Sequence, residues 1–295
     1  MMQAMQEPTL ANVIAAWSGD LLPALGVVVA ATAYLVAVRR VNLAHPRNQV
    51  PRWRVAAWLA GVGLIGVALL SALDTYADSL FSMHMVQHLL LAMVAPPLLA
   101  LGAPITLALR VAPSTFRRAF MIPVLHSRLA RASSWPPLGW VVFAGVMWAT
   151  HFTPLFNAAL ESSLIHSLEH LLYLSAGLLF WWPAIGADPG RWRLRPTARM
   201  VYLAAQMPPN TAVGLAIYFA PGVLYAHYAS GSRTWGPTPL TDQQVAGILM
   251  WGAGDIILLG AVVLAAAAWL RADERRSRRI EERAARRGQG ATVES

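Results

Sequence analysis

Cysteine is absent from this chain of 295 residues, and so is lysine. The first absence excludes disulfides, thiolate metal sites and iron–sulfur clusters, leaving histidine, methionine and carboxylates as metal ligands. The second means that all 23 basic side chains are arginine. Charge of either sign is scarce: 13% of residues carry it, about half the roughly 25% of an ordinary soluble domain. Apolar residues take the space. They make up 57% of the chain, in several runs that reach the about 20 residues a helix needs to cross a bilayer. A net charge of +9 would suggest nucleic acid in a soluble protein. In a membrane protein, basic residues instead mark the cytoplasmic side, and no nucleic-acid partner is expected. No basic stretch precedes the first apolar run, so a cleavable signal peptide is not expected.

The chain reads as an all-α polytopic protein, a bundle of about seven transmembrane helices. Spans are expected near residues 20–38, 53–73, 80–109, 138–156, 164–186, 198–220 and 244–270. The third carries Pro96, Pro97 and Pro104 and should bend or break near its inner end; Pro208 and Pro209 interrupt the sixth. Alternate loops hold 22 of the 23 arginines, with Arg233 alone on the other side. This asymmetry puts the N-terminus outside and the C-terminus in the cytoplasm, which an odd number of spans requires. The organisation is then an outer segment 1–19, a membrane domain 20–270 in the bacterial plasma membrane, and an Arg-rich cytoplasmic tail 271–295 that also faces lipid headgroups.

With that topology, His45 and His126 fall among cytoplasmic arginines, and the other six histidines fall at or near the outer face. "HMVQHLL" (84–90) opens the third span and "HSLEHLL" (166–172) the fifth. Residues four apart share a helix face, so His84 with His88, and His166 with His170, each direct two imidazoles at one point. Both spans run inward from the outer face, placing the pairs at a common depth of about 5–12 Å. Glu169 lies on the same face as His166, and Gln87 is its counterpart. Interhelical hydrogen bonding is the plain alternative for either pair alone. Two matched pairs with a carboxylate beside one favour a metal or cofactor site. His151, at the end of the fourth span, is a further candidate ligand; Asp74 and Asp78, at the outer end of the second, offer hard oxygen donors or an entry funnel. Met83 and Met85 flank His84 and would suit Cu(I), although methionine is also a common gap-filler. Asp255, deep in the seventh span, is expected to pair with Gln206 and Asn210 in a structural or gating role.

The stretches "FSMHMVQHLLLAMVAPPLLALGAP", "HSLEHLLYLSAGLLFWWPAIG", "QMPPNTAVGLAIYFAPGVLYAHYA" and "DQQVAGILMWGAGDIILL" resemble the CtaG-type cytochrome c oxidase assembly factors of bacteria, over roughly residues 40–270. The resemblance implies a non-enzymatic protein that handles copper for haem–copper oxidase, with oxidase subunits and other copper chaperones as partners. Zinc suits the same donors. Three other readings stand beside it. "HSLEH" is formally the H-x-x-E-H of an intramembrane zinc peptidase; a histidine from each pair would suit haem; and a docking scaffold needs its histidines only for packing. Reporter fusions test the orientation. Those after residues 118 and 195 and at the C-terminus are expected to report cytoplasm, and those near residues 78, 160 and 231 the outside. A C-terminal reporter active outside the cell would take the histidines off the outer face.

Overall fold

The structure is a computed structural model that describes residues 7, 9–230 and 233–291. Parts of the expected end segments, residues 1–6, 8 and 292–295, lie outside the described residues, as does the reporter position at 231. The described chain is helical, with no strand. Its principal helices are α1 (Leu21–Ala44), α2 (Arg52–Leu70), α3 (Phe81–Val111), α4 (Pro136–Phe152), α5 (Leu155–Glu161), α6 (Ser163–Ile185), α7 (Pro196–Ala204), α8 (Met207–Tyr218) and α9 (Pro239–Arg278). Five of these, α1, α2, α3, α6 and α9, are long and apolar enough to cross a bilayer alone; α4 joins them only together with α5, from which it bends by 68°. Where a sixth span was expected there are two short helices, α7 and α8. Pro208 and Pro209 offer no N–H to the Ala204 and Ala205 carbonyls, and the helix breaks at Ala205–Gln206. Among the described residues, length and composition thus support five or six crossings where seven were expected.

Polarity runs inside out. Leu21, Leu22, Leu25, Val28 and Val29 stand exposed along α1, while His84, Gln87, His88, Glu169, Gln206, Asn210 and Asp242 are buried. An apolar exterior of this extent fits a bilayer as solvent.

Prolines create the contacts that bring the helices together. Pro96 has no N–H for the Ala92 carbonyl. The helix widens there into a π-turn over Leu90–Val94, and the Ala92 oxygen instead accepts from Trp181 Nε1 of α6 at 3.2 Å. Gly177, one turn earlier on α6, presses on the same carbonyl: a Cβ at Gly177 would lie 2.5 Å from that oxygen. Helix α6 has its own internal proline, Pro183, which frees the Leu179 carbonyl in the same way. Gly139 of α4 packs on it, with a Cβ position 2.4 Å from the oxygen. On both faces of α6, a bare glycine Cα meets a carbonyl that proline has left without its helical partner, a Cα–H···O arrangement open only to the smallest residue.

Two buried aspartates hold α3 from other parts of the chain. Neither of its helical starts has a side-chain cap of its own, Leu80 preceding one and Ala103 (φ 49°) the other. Asp242 of α9 accepts from the Phe81 N–H at 2.7 Å and from Ser82 Oγ at 2.5 Å. Asp188 accepts from the Thr106 N–H and Thr106 Oγ1, both at 2.6 Å, and from the Ile105 N–H at 3.2 Å. The expected inner break of α3 is the Gly102–Ala103 step, where the Gly102 carbonyl accepts from Tyr34 Oη at 2.7 Å.

Gly177→Ala tests the α3–α6 approach. Alanine improves helix propensity by about 1 kcal/mol, but overpacking against a backbone oxygen costs about 1–3 kcal/mol. Thermal unfolding in detergent is expected to show net destabilisation. An unchanged melting temperature would mean that the two helices separate freely.

Candidate metal centre

Helix α3 presents His84 and His88, and α6 presents His166, Glu169 and His170, across the Gly177 contact. His84, His166 and Glu169 each offer a ligand atom, and the three atoms lie within 4.8 Å of one another. Glu169 Oε2 is 3.8 Å from both His84 Nε2 and His88 Nε2, beyond hydrogen-bond reach. The His84 and His88 Nε2 atoms are 2.9 Å apart. The His84 and His166 rings stack with centroids 5.2 Å apart, and the His166 and His170 centroids are 4.2 Å apart.

Neighbouring groups orient these rings. Tyr228 Oη donates to the Ala77 carbonyl at 2.9 Å and also lies 3.3 Å from His84 Nδ1. With its one proton committed, the hydroxyl accepts from His84 Nδ1–H, leaving His84 Nε2 as a lone pair. His88 Nε2–H then donates to His84 Nε2. His88 stacks on Tyr173 at 3.9 Å, and Tyr173 Oη reaches Thr150 Oγ1 at 2.5 Å. His151 Nδ1–H donates to the Met147 carbonyl at 2.7 Å, which makes its Nε2 the acceptor atom. Phe156, fully buried on α5 beyond the 68° bend, covers the group, with ring centroids 5.0 Å from His84 and 5.7 Å from His151.

A set of buried atoms finds no hydrogen-bond partner: His88 Nδ1, His151 Nε2, His166 Nε2, His170 Nε2 and both oxygens of Glu169. Buried polar atoms are nearly always paired, because each unpaired one costs on the order of 1–3 kcal/mol. Here lone pairs and a carboxylate occupy one water-poor space. Imidazole and carboxylate donors of this kind suit copper or zinc.

Other expectations resolve differently. Gln87 turns away from the cluster, its Nε2 donating to Asp74 Oδ1 at 2.7 Å and to the Ala68 carbonyl at 2.8 Å. It is therefore no counterpart of Glu169. Asp74 is held by that amide and Asp78 is exposed; neither is among the converging donors. His227 donates to the Asp78 carbonyl at 2.8 Å. Asp255 accepts from Asn210 Nδ2 at 3.0 Å, as expected, and from Thr211 Oγ1 rather than Gln206. Gln206 is fully buried with neither side-chain polar atom paired.

The model of the cytochrome c oxidase caa3 assembly factor family matches residues 32–272, a stretch that contains every histidine of the cluster. The chain belongs to that family. It is 33% identical over 289 residues to an uncharacterized protein of Mycobacterium bovis and equally to one of Mycobacterium tuberculosis, covering 95% of this chain and 43% of each relative. An uncharacterized protein of Mycobacterium leprae is 30% identical over 277 residues, covering 92% of this chain and 42% of the relative. The chain thus spans less than half the length of those relatives. No solved structure matches it.

Several residues that shape the site escaped the sequence reading. Tyr173 was open to discovery, because it follows His170 by three positions on the same helix face. Tyr228 and Asp242 carried no such signal, since each acts across a large gap in the chain, and Phe156 meets the histidines through the bend between α4 and α5. Asp242→Ala would strip the N-terminus of α3 of its cap. Hydrogen bonds to a charged partner are worth about 1.5–3 kcal/mol, so the melting temperature is expected to fall clearly, with Asp242→Asn falling less. Equal stability of all three proteins would show that α3 does not depend on this carboxylate.

Proposed function

We propose that this protein is an integral membrane assembly factor for haem–copper cytochrome c oxidase, one that binds copper at the His84–His166–Glu169 cluster and passes it to the oxidase. The observation that carries the reading is the approach of ligand atoms of His84, His166 and Glu169 to within 4.8 Å of one another, with His166 Nε2 and both Glu169 oxygens buried and unpaired. His88, His151 and His170 surround the three as further donors. Copper rather than zinc follows from the assembly role of the family; oxidase subunits and copper carriers are the partners this role requires. The arginine asymmetry supports a cluster toward the outer face of the plasma membrane, with the C-terminus in the cytoplasm. No catalytic step is assigned.

The haem reading fits poorly. The His84 and His88 Nε2 atoms are 2.9 Å apart and Glu169 Oε2 is 3.8 Å from each, a space that suits an ion rather than a macrocycle. The peptidase reading retains the H-x-x-E-H spacing, and Glu169 separates it from the carrier. As a ligand or as an imidazole's partner, Glu169 contributes about 10–100-fold in affinity. As a general base it contributes about 10²–10⁴-fold in rate, which an amide cannot supply.

The test uses purified protein exposed to Cu(I). Wild type should retain copper, and His166→Ala combined with His170→Ala should lose most of it. Glu169→Gln should bind more weakly yet support oxidase activity in cells given ample copper. Wild-type binding no tighter than that of the double variant would overturn the reading. A Glu169→Gln protein that keeps full metal but loses all function would replace it with the hydrolase.

A further inference from the structure

A cleft of about 650 Å³ lies between the start of α1, the end of α2 and the first turns of α6. Most of its wall is leucine, but one side is not. Ser163, Ser167 and His170 line it, and positions i, i+4 and i+7 form a single stripe along a helix. Across the cleft stands Asp20, the residue that precedes α1. Its side chain makes no capping hydrogen bond to that helix, so the carboxylate is not engaged there. Ser167 Oγ spends its proton on the Ser163 carbonyl at 2.9 Å, leaving oxygen lone pairs on the stripe.

His170 belongs to two environments. It lines the cleft, yet it is 9% exposed with an unpaired buried Nε2, and its ring lies 4.2 Å from that of His166. Two polar stripes of α6 therefore cross at His170. One, through His166, Glu169 and Tyr173, faces the bundle interior. The other, through Ser163 and Ser167, runs to the helix start.

We infer that this cleft is the exchange route of the metal centre, with Asp20 attracting the cation at the mouth, Ser163 and Ser167 lining the way, and His170 passing it to His166. The inference rests on the copper reading above. A carboxylate at a low-dielectric mouth concentrates cations and raises their entry rate in a salt-dependent way. The competing occupant is a lipid acyl chain, which the leucine wall would equally accept and which would seal the cleft.

Anaerobic stopped-flow on the full chain in lipid nanodiscs tests it, following Cu(I) loading and Cu(I) loss to an excess of chelator. Ser167→Trp should slow both by about tenfold or more, equivalent to about 1.4 kcal/mol of barrier, with copper occupancy at equilibrium unchanged. Asp20→Asn, which keeps the shape, should slow loading at low ionic strength, the difference closing as salt is added. If Ser167→Trp does not fold, Ser163→Trp and Asp20→Asn carry the test. Wild-type exchange rates at full occupancy in these variants would overturn the route while leaving the metal site standing. No copper on the wild type would remove the route together with the copper reading itself.

Discussion

A proline inside a helix leaves a carbonyl without its donor, and in a bilayer no water is at hand to replace it. This chain meets that constraint by placing a neighbouring helix on each freed oxygen. The Ala92 carbonyl receives the Trp181 indole and the bare backbone of Gly177; the Leu179 carbonyl receives Gly139. The contacts fix α6 between α3 and α4. The five donors of α3 and α6 come within reach because the helix backbones close at Gly177, and His151 joins from α4 because that helix closes at Gly139. Site and fold share one cause.

The treatment of carboxylates sharpens the reading of Glu169. Asp242 and Asp188 each accept three hydrogen bonds and Asp255 accepts two. The chain can thus satisfy an acidic side chain away from water, and does so where the role is structural. Glu169 is 6% exposed and has none, with the Nε2 atoms of His84 and His88 3.8 Å from its Oε2. A carboxylate buried without donors is costly unless a proton or a cation accompanies it. That contrast within a single protein is a stronger argument for a bound cation than the histidine count alone, because packing roles for histidine are common in membrane helices.

What was legible in the sequence was what depends on local periodicity. The two H-x-x-x-H pairs, the inner break of α3 and the interruption at Pro208 all follow from helix geometry and proline chemistry, and the structure has each of them. The sense of the Gln87 side chain did not follow. Its spacing from His84 mirrors that of Glu169 from His166, but Asp74 and the Ala68 carbonyl lie on its other side and decide its direction. The count of spans was blurred for a related reason. Hydropathy averages over a window, and it cannot tell one continuous helix from α7 and α8, or show that α4 bends sharply into α5. The two trans-capping aspartates were invisible, since Asp242 is about 160 positions from the helix it caps and Asp188 about 80. Asp255 was placed correctly against Asn210, but its second donor, Thr211, is simply the next residue on α8.

On the copper reading the protein has to hold its cargo firmly and still release it, and the packing of this cluster limits how. The helices themselves are poor candidates for movement: α3 is pinned to α6 at Gly177 and capped by Asp242 and Asp188, so opening the bundle would break several buried contacts at once. The parts at the edge of the cluster are smaller. Phe156 rides on a short helix beyond a sharp bend, and His170 sits where the interior meets a cleft. Under the copper reading, exchange then proceeds by ring rotation at the edge of the cluster while the α3–α6 framework stays closed. Such a site keeps its donors preorganised between deliveries. On the same reading, release would pass through His170, which lines the cleft and whose ring lies 4.2 Å from that of His166.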